Sequence, residues 1–184
     1  MGMGKSETSR LFAAEGIPVF DADAAVHDLY AAPGPLAAEI EKEFPGAVTR
    51  AGIDRGALSA RMTPQKLEKL EALIHPAVAA ARARFLEENF LAPMALYDIP
   101  LLLETGVEVD AVVVVSAPAH VQKARVLDRP GMTEEKFAHL AARQLSDTEK
   151  RTQAHYVVMT DQGLDHARDQ VKMILADIRN KLSA

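Results

Sequence analysis

At 184 residues, 48% of them hydrophobic and 26% charged, the chain has the length and composition of one globular domain, or of a core carrying an inserted subdomain. A net charge of −5 argues against a generic nucleic-acid binder, and the lack of cysteine excludes disulfides, thiolate catalysis and Cys-based zinc sites. The longest apolar runs fall far below the roughly 18 residues of a membrane span, and no signal-peptide core follows Lys5 and Arg10, so the expectation is a cytoplasmic protein without a membrane partner.

The first motif is Gly2-Met3-Gly4-Lys5-Ser6, the second half of a G-x-x-x-x-G-K-[ST] phosphate loop. Its glycines let backbone N–H groups turn inward around a phosphate. Lys5 would bridge the β- and γ-phosphates of a nucleotide, and the Ser6 hydroxyl would ligate Mg²⁺. A helix is predicted over 7–15, its N-terminus facing the anion and Gly16 ending it. The first glycine of the motif would fall before Met1, and the strand that precedes such loops has no counterpart. The expectation is a sheet short of its central strand, with unpaired edges; a start site upstream of Met1 accounts for the same observation.

Next come β-branched runs read as buried strands: Ile17 to Phe20, Ala95 to Ile99, Ala111 to Val115 and Tyr156 to Met159. Four consecutive valines, Val112 to Val115, suggest a strand covered on both faces. The first run ends in Asp21-Ala22-Asp23, whose carboxylates would share one face of a strand by period-two alternation. From about Pro35 to Ala92 the pattern is mostly helical. Thr63 and Pro64 read as N-cap and N1, Leu67, Leu70, Leu73 and Ile74 form one stripe, and His75-Pro76 reads as a helix end. Thr133 marks a helix start, Ser146 with Glu149 a capping box, and Val171, Ile174, Leu175 and Ile178 one face of a last helix. Strands alternating with helices predict an α/β fold with a mostly parallel sheet.

Taken in order, the phosphate loop, Asp21 and Asp23, His75-Pro76, Asp98-Ile99-Pro100-Leu101-Leu102-Leu103-Glu104, Arg125 with Arg129, and Gln144 followed by Lys150 resemble the dephospho-CoA kinases over essentially the whole chain. The resemblance implies a three-layer P-loop NTPase fold over 1–184, a helical CoA-binding insertion over 35–92 and a lid over 119–151. It implies transfer of a phosphoryl group from ATP to the ribose 3′-hydroxyl of dephospho-CoA, with Mg²⁺. Asp23 then matches the general base, Asp21 supports the metal with Ser6, and Arg125 and Arg129 match the lid and the transferring phosphoryl group, with Arg143 a further candidate. Gly2, Met3, Gly4, Lys5, Ser6 and Glu7 would hold the nucleotide; His75, Arg82, Leu101 and Leu102, with Leu103, would meet the substrate.

The chain departs from this family pattern at His155 of Ala154-His155, where members often carry Asp, and at Thr160, where they commonly carry Asn. Both lie where the adenine pocket is framed. Plainer readings stand beside the functional ones. Asp21 and Asp23 suit a strand end and helix cap, His75 a structural helix end, Arg125, Arg129 and Arg143 a solvated face, and Glu104 a surface charge. The rival functions are another small-molecule P-loop kinase, or a non-catalytic domain that binds nucleotide or CoA.

Overall fold

The computed structural model describes residues 1–31, 34–142 and 144–183. The chain forms two compact units, Phe20–Tyr97 and a second assembled from Met1–Val19 with Asp98–Ala184.

In chain order, α1 (Lys5–Ala14) starts earlier than predicted and ends before Gly16, whose φ of 82° is the left-handed geometry of a C′ residue. β1 (Val19–Asp21) runs directly into α2 (Ala22–Tyr30). There follow α3 (Ala37–Glu43), β2 (Val48–Thr49), β3 (Gly52–Ile53), α4 (Arg55–Ala60), α5 (Pro64–Glu88) and β4 (Leu96–Asp98). The remainder comprises α6 (Leu102–Thr105), β5 (Val113–Ser116), α7 (Ala119–Leu127), α8 (Glu134–Ala141), α9 (Asp147–Thr152), β6 (Tyr156–Met159) and α10 (Leu164–Leu182). Thr63, Thr133 and Ser146 each accept a backbone N–H as N-caps, and Ser146 with Glu149 completes a capping box.

In the unit Phe20–Tyr97 the core is Ile40, Phe44, Ala47, Ile53, Leu58 and Leu70, with Leu73 and Ile74 packed against it. The stretch is mostly helical and also holds a short antiparallel hairpin that the pattern does not announce, Val48 opposite Ile53 and Thr49 opposite Gly52. One expectation fails here: α5 does not stop at His75-Pro76 but continues through it. Proline disfavours helix at the preceding residue and removes one hydrogen bond. Packing of α5 against α2 and α3 outweighs that local penalty.

In the second unit β5 and β6 are parallel, Val113 beside Tyr156 through Ser116 beside Met159, joined by a crossover through α7, α8 and α9. No residue of β5 is exposed, as the valine run predicts, although Val114 and Ser116 lie deeper than Val113 and Val115. The α10 face buries Val171, Ile174 and Leu175 and packs on β6 and α1. Each such side chain contributes about 1.5–3 kcal/mol.

No single continuous ladder joins the described strands. Among the described residues they pair as β1 with β4, β2 with β3, and β5 with β6, so β5 has a partner on one side alone. No described helix is long and apolar enough to cross a membrane.

Candidate active site

Gly2 and Gly4 have φ of 73° and 94°, left-handed values that side chains rarely adopt. Space is short there too, most severely at Gly2. A Cβ at Gly2 would lie 2.5 Å from Val126 Cγ2, and one at Gly4 would lie 3.1 Å from Thr160 Cγ2. Gly4 occupies the N-cap position of α1 and offers no side-chain cap, so the first N–H groups of the helix remain donors for an anion. Behind them, buried Thr8 donates its hydroxyl to the Gly4 carbonyl at 3.1 Å. Ser6 and Glu7 are exposed, and Glu7 pairs with Arg10.

Lys5 reaches from the first turn of α1 to Asp98, which also accepts the Ser9 hydroxyl at 2.7 Å. Asp98 is 4% exposed and ends β4. A buried carboxylate requires such partners, because desolvating an unpaired charge is costly. The sequence places Asp98 in a motif and assigns it no role of its own. Its signal was the position of a carboxylate at the C-terminal end of a strand, where α/β folds place ligand contacts.

On the other side of the loop, Arg125 donates Nη1 to Thr160 Oγ1 at 2.9 Å and Nη2 to the Thr160 carbonyl at 2.6 Å. The Thr160 hydroxyl in turn donates to the Met3 carbonyl at 2.6 Å. Arg125 and Thr160 line a cavity of about 520 Å³ with Gly2, Gly4, Arg129 and Leu164. Arg125 lies in the last turn of α7, which stops at Leu127, and Arg129 lies beyond its end. Arg143 lies outside the described residues.

Burial, then the positive charges of Lys150, Arg129 and Lys5, hold the Met1 ammonium below its ordinary value. The same repulsion records three side-chain cations converging near the loop, an arrangement suited to a polyanion. Glu104 tempers it, pairing with Lys150 at 3.6 Å and accepting the Leu145 N–H at 3.4 Å. Lys150 is half-buried and Glu104 lies at an exposed position, so Glu104 is a surface charge that is paired rather than free. A second tether fixes α9: the buried Ser116 hydroxyl donates to Asp147 at 2.8 Å. Leu101 is 39% exposed, and Leu102 and Leu103 are half-buried around α6.

In the unit Phe20–Tyr97, Asp21 accepts the Ala24 N–H at 3.0 Å and caps α2. Asp23 falls in the first turn of that helix, exposed and without a hydrogen bond or ion pair among the described residues. The expected strand face carrying both carboxylates is therefore not formed, because extended backbone ends at Asp21. His75 is exposed in mid-helix. The Arg82 guanidinium lies 5.5 Å from the Tyr97 ring centroid, and Tyr97 meets Phe20 edge-on at 6.1 Å.

Comparison with known proteins bears on what this arrangement is for. A family model described as dephospho-CoA kinase matches residues 1–166. The dephospho-CoA kinase of Novosphingobium aromaticivorans is 48% identical over 185 residues, an alignment spanning 98% of this chain and 92% of the relative. That of Rhodopseudomonas palustris is 49% identical, spanning 96% of this chain and 90% of the relative. A crystal structure from Thermus thermophilus superposes with a TM-score of 0.79 at 32% identity, covering 96% of this chain and 93% of that one. The dephospho-CoA kinase from Campylobacter jejuni superposes with a TM-score of 0.64 at 21% identity, covering 97% and 93%, a likeness of fold.

Proposed function

The chain belongs to the dephospho-CoA kinase family, a P-loop NTPase-type α/β fold, and from that membership we propose that it phosphorylates the ribose 3′-hydroxyl of dephospho-CoA using ATP. The observation that carries the reading is the head of α1, where an uncapped N-terminus behind left-handed Gly4 presents Lys5 beside free N–H donors.

In this reading the backbone from Gly2 to Glu7 cradles the phosphates, and Lys5 exchanges Asp98 for the β- and γ-phosphates. Arg125 and Arg129 neutralise charge on the transferring phosphoryl group, work for which arginine is well suited. Asp23 takes the proton of the attacking hydroxyl, a role that needs a carboxylate within about 3 Å of it in the complex. Its exposure, with no partner among the described residues, supports this reading, since no described interaction has to be broken first. His75, Arg82, Leu101 and Leu102 are assigned to the CoA moiety. Catalysis is then mainly positioning and charge neutralisation.

Magnesium suits the donors present. Mg²⁺ takes one or two protein oxygens and completes its shell with phosphate and water. The exposed Ser6 hydroxyl in the first turn of α1 is such a donor, and no described cluster of three or more His, Cys, Asp or Glu side chains forms a cage for another metal. Asp21 would act through waters while its other interaction caps α2. The ion, when bound, would supply neutralisation of the phosphate charge.

The test is ADP release with dephospho-CoA as acceptor, coupled to phosphorus NMR of the product. A new 3′-phosphomonoester is the expected result. Turnover with nucleosides or sugar acids and none with dephospho-CoA would move the chain to another kinase specificity. ATP binding without any turnover would make it a binding domain.

A further inference from the structure

Thr160 sits where the end of β6, the phosphate loop and α7 meet, and its backbone is fixed by an N–H bond to the Ser116 carbonyl at 3.0 Å. Its hydroxyl is used in both senses. It accepts from Arg125 Nη1 at 2.9 Å and donates to the Met3 carbonyl at 2.6 Å; the Ser116 carbonyl, at 3.4 Å, is the more distant alternative acceptor. The threonine carbonyl takes the other guanidinium nitrogen at 2.6 Å. One residue thus grips Arg125 in a fork while holding the loop two residues before Lys5.

The geometry points to Thr160 as a positioning residue, one that aims Arg125 into the nucleotide cavity and ties its orientation to that of the phosphate loop. An arginine side chain carries large rotamer entropy, and a cation serves a transition state only if it needs no reorganisation as charge develops. Two of the guanidinium nitrogens are spent on Thr160, and the remaining N–H donors are left for a phosphate oxygen. A hydroxyl suits the junction because it supplies a donor and an acceptor from one atom. A small side chain is also required, since the Thr160 methyl already sits where a Cβ on Gly4 would come within 3.1 Å. This inference rests on the nucleotide reading of the cavity given above.

The test compares Thr160→Val, which keeps the shape and removes the hydroxyl, with Thr160→Ser, which keeps the hydroxyl and removes the methyl. Thr160→Val should lower kcat/KM for ATP by about 10- to 100-fold, the scale of a lost hydrogen bond to a charged group. The KM for dephospho-CoA should stay the same, and Thr160→Ser should remain within about threefold of the parent protein. In an Arg125→Ala background, Thr160→Val should cost little more, because the residue it positions is gone. Should Thr160→Val melt below the assay temperature, Thr160→Ala replaces it with the same expected losses. Parent-level kcat/KM for ATP in the valine variant, equal damage from serine and valine, or full additivity with Arg125→Ala would each overturn the proposal. Titration with ATP separates this outcome from a failure of the kinase reading. Weaker ATP binding by Thr160→Val supports the positioning role even if the parent protein does not turn over dephospho-CoA, and unchanged binding in that case overturns it.

Discussion

Asp98 joins Lys5 to Ser9: one carboxylate oxygen takes the Lys5 ammonium and the other takes the Ser9 hydroxyl at 2.7 Å. Lys5 lies in the first turn of α1 and Ser9 one turn on, so both reach the same buried group. The interaction stabilises the free protein, and on the proposed nucleotide reading it is exchanged when phosphates arrive. Asp98→Asn removes the competing charge. It should bind metal-free ADP up to about fivefold more tightly, the scale of a partly exposed ion pair, while melting at a lower temperature. Calorimetric titration and thermal melting read the two effects, and weaker ADP binding by the variant would contradict the exchange.

Lys5→Ala should lower kcat by about two to three orders of magnitude, as loss of a charge-stabilising donor does. It should also lower the melting temperature, since Asp98, with a side chain 3% exposed, loses its cation. On sequence grounds alone Lys5 reads as a catalytic charge with no structural duty, so the change in melting temperature is the informative measurement.

Asp21 and Asp23 should separate cleanly. Asp21→Ala removes the acceptor of the Ala24 N–H and should destabilise by about 0.5–2 kcal/mol, the usual value of an N-cap. Asp23→Asn should leave the melting temperature unchanged, since its carboxylate is exposed and unpartnered among the described residues, and should lower kcat by about two to four orders of magnitude. Parent-level kcat in Asp23→Asn would remove it from the reaction.

Pro76 stands exposed inside α5. Pro76→Ala should restore the missing backbone bond and raise stability by about 1–3 kcal/mol, after allowing for the greater entropy of the unfolded chain. Chemical denaturation measures this directly. A loss of stability would mean that the ring supplies packing worth more than the bond it removes.

Sequence reading succeeded where the cause is local. Thr63-Pro64, Thr133 and Ser146 with Glu149 act within a few residues of themselves, and each capped the helix it was expected to cap. The β-branched runs located β1, β4, β5 and β6 to within a residue or two. Readings failed where distant partners decide. Packing against α2 and α3 carries α5 through Pro76, the two-residue strands β2 and β3 are too short to leave a periodic signal, and Asp98 meets its partners from 93 and 89 residues away. The fork between Arg125 and Thr160 is likewise invisible to spacing, because the hydroxyl could serve many neighbours.

The one-sided pairing of β5 has a consequence for amide exchange. The Tyr156 N–H donates to the Val112 carbonyl at 3.1 Å and the Thr160 N–H to the Ser116 carbonyl at 3.0 Å, so every second residue of β5 addresses β6. In a parallel ladder the intervening residues address the opposite edge. There, among the described residues, Val113 and Val115 find no strand. Solvent deuterium should therefore replace the amide protons of Val113 and Val115 much sooner than those of Val114 and Ser116, a two-residue rhythm within a single strand. Uniform protection along Val113–Ser116 would mean that a further chain segment occupies that edge in solution. The exchange record of four residues thus reports whether this sheet ends at β5.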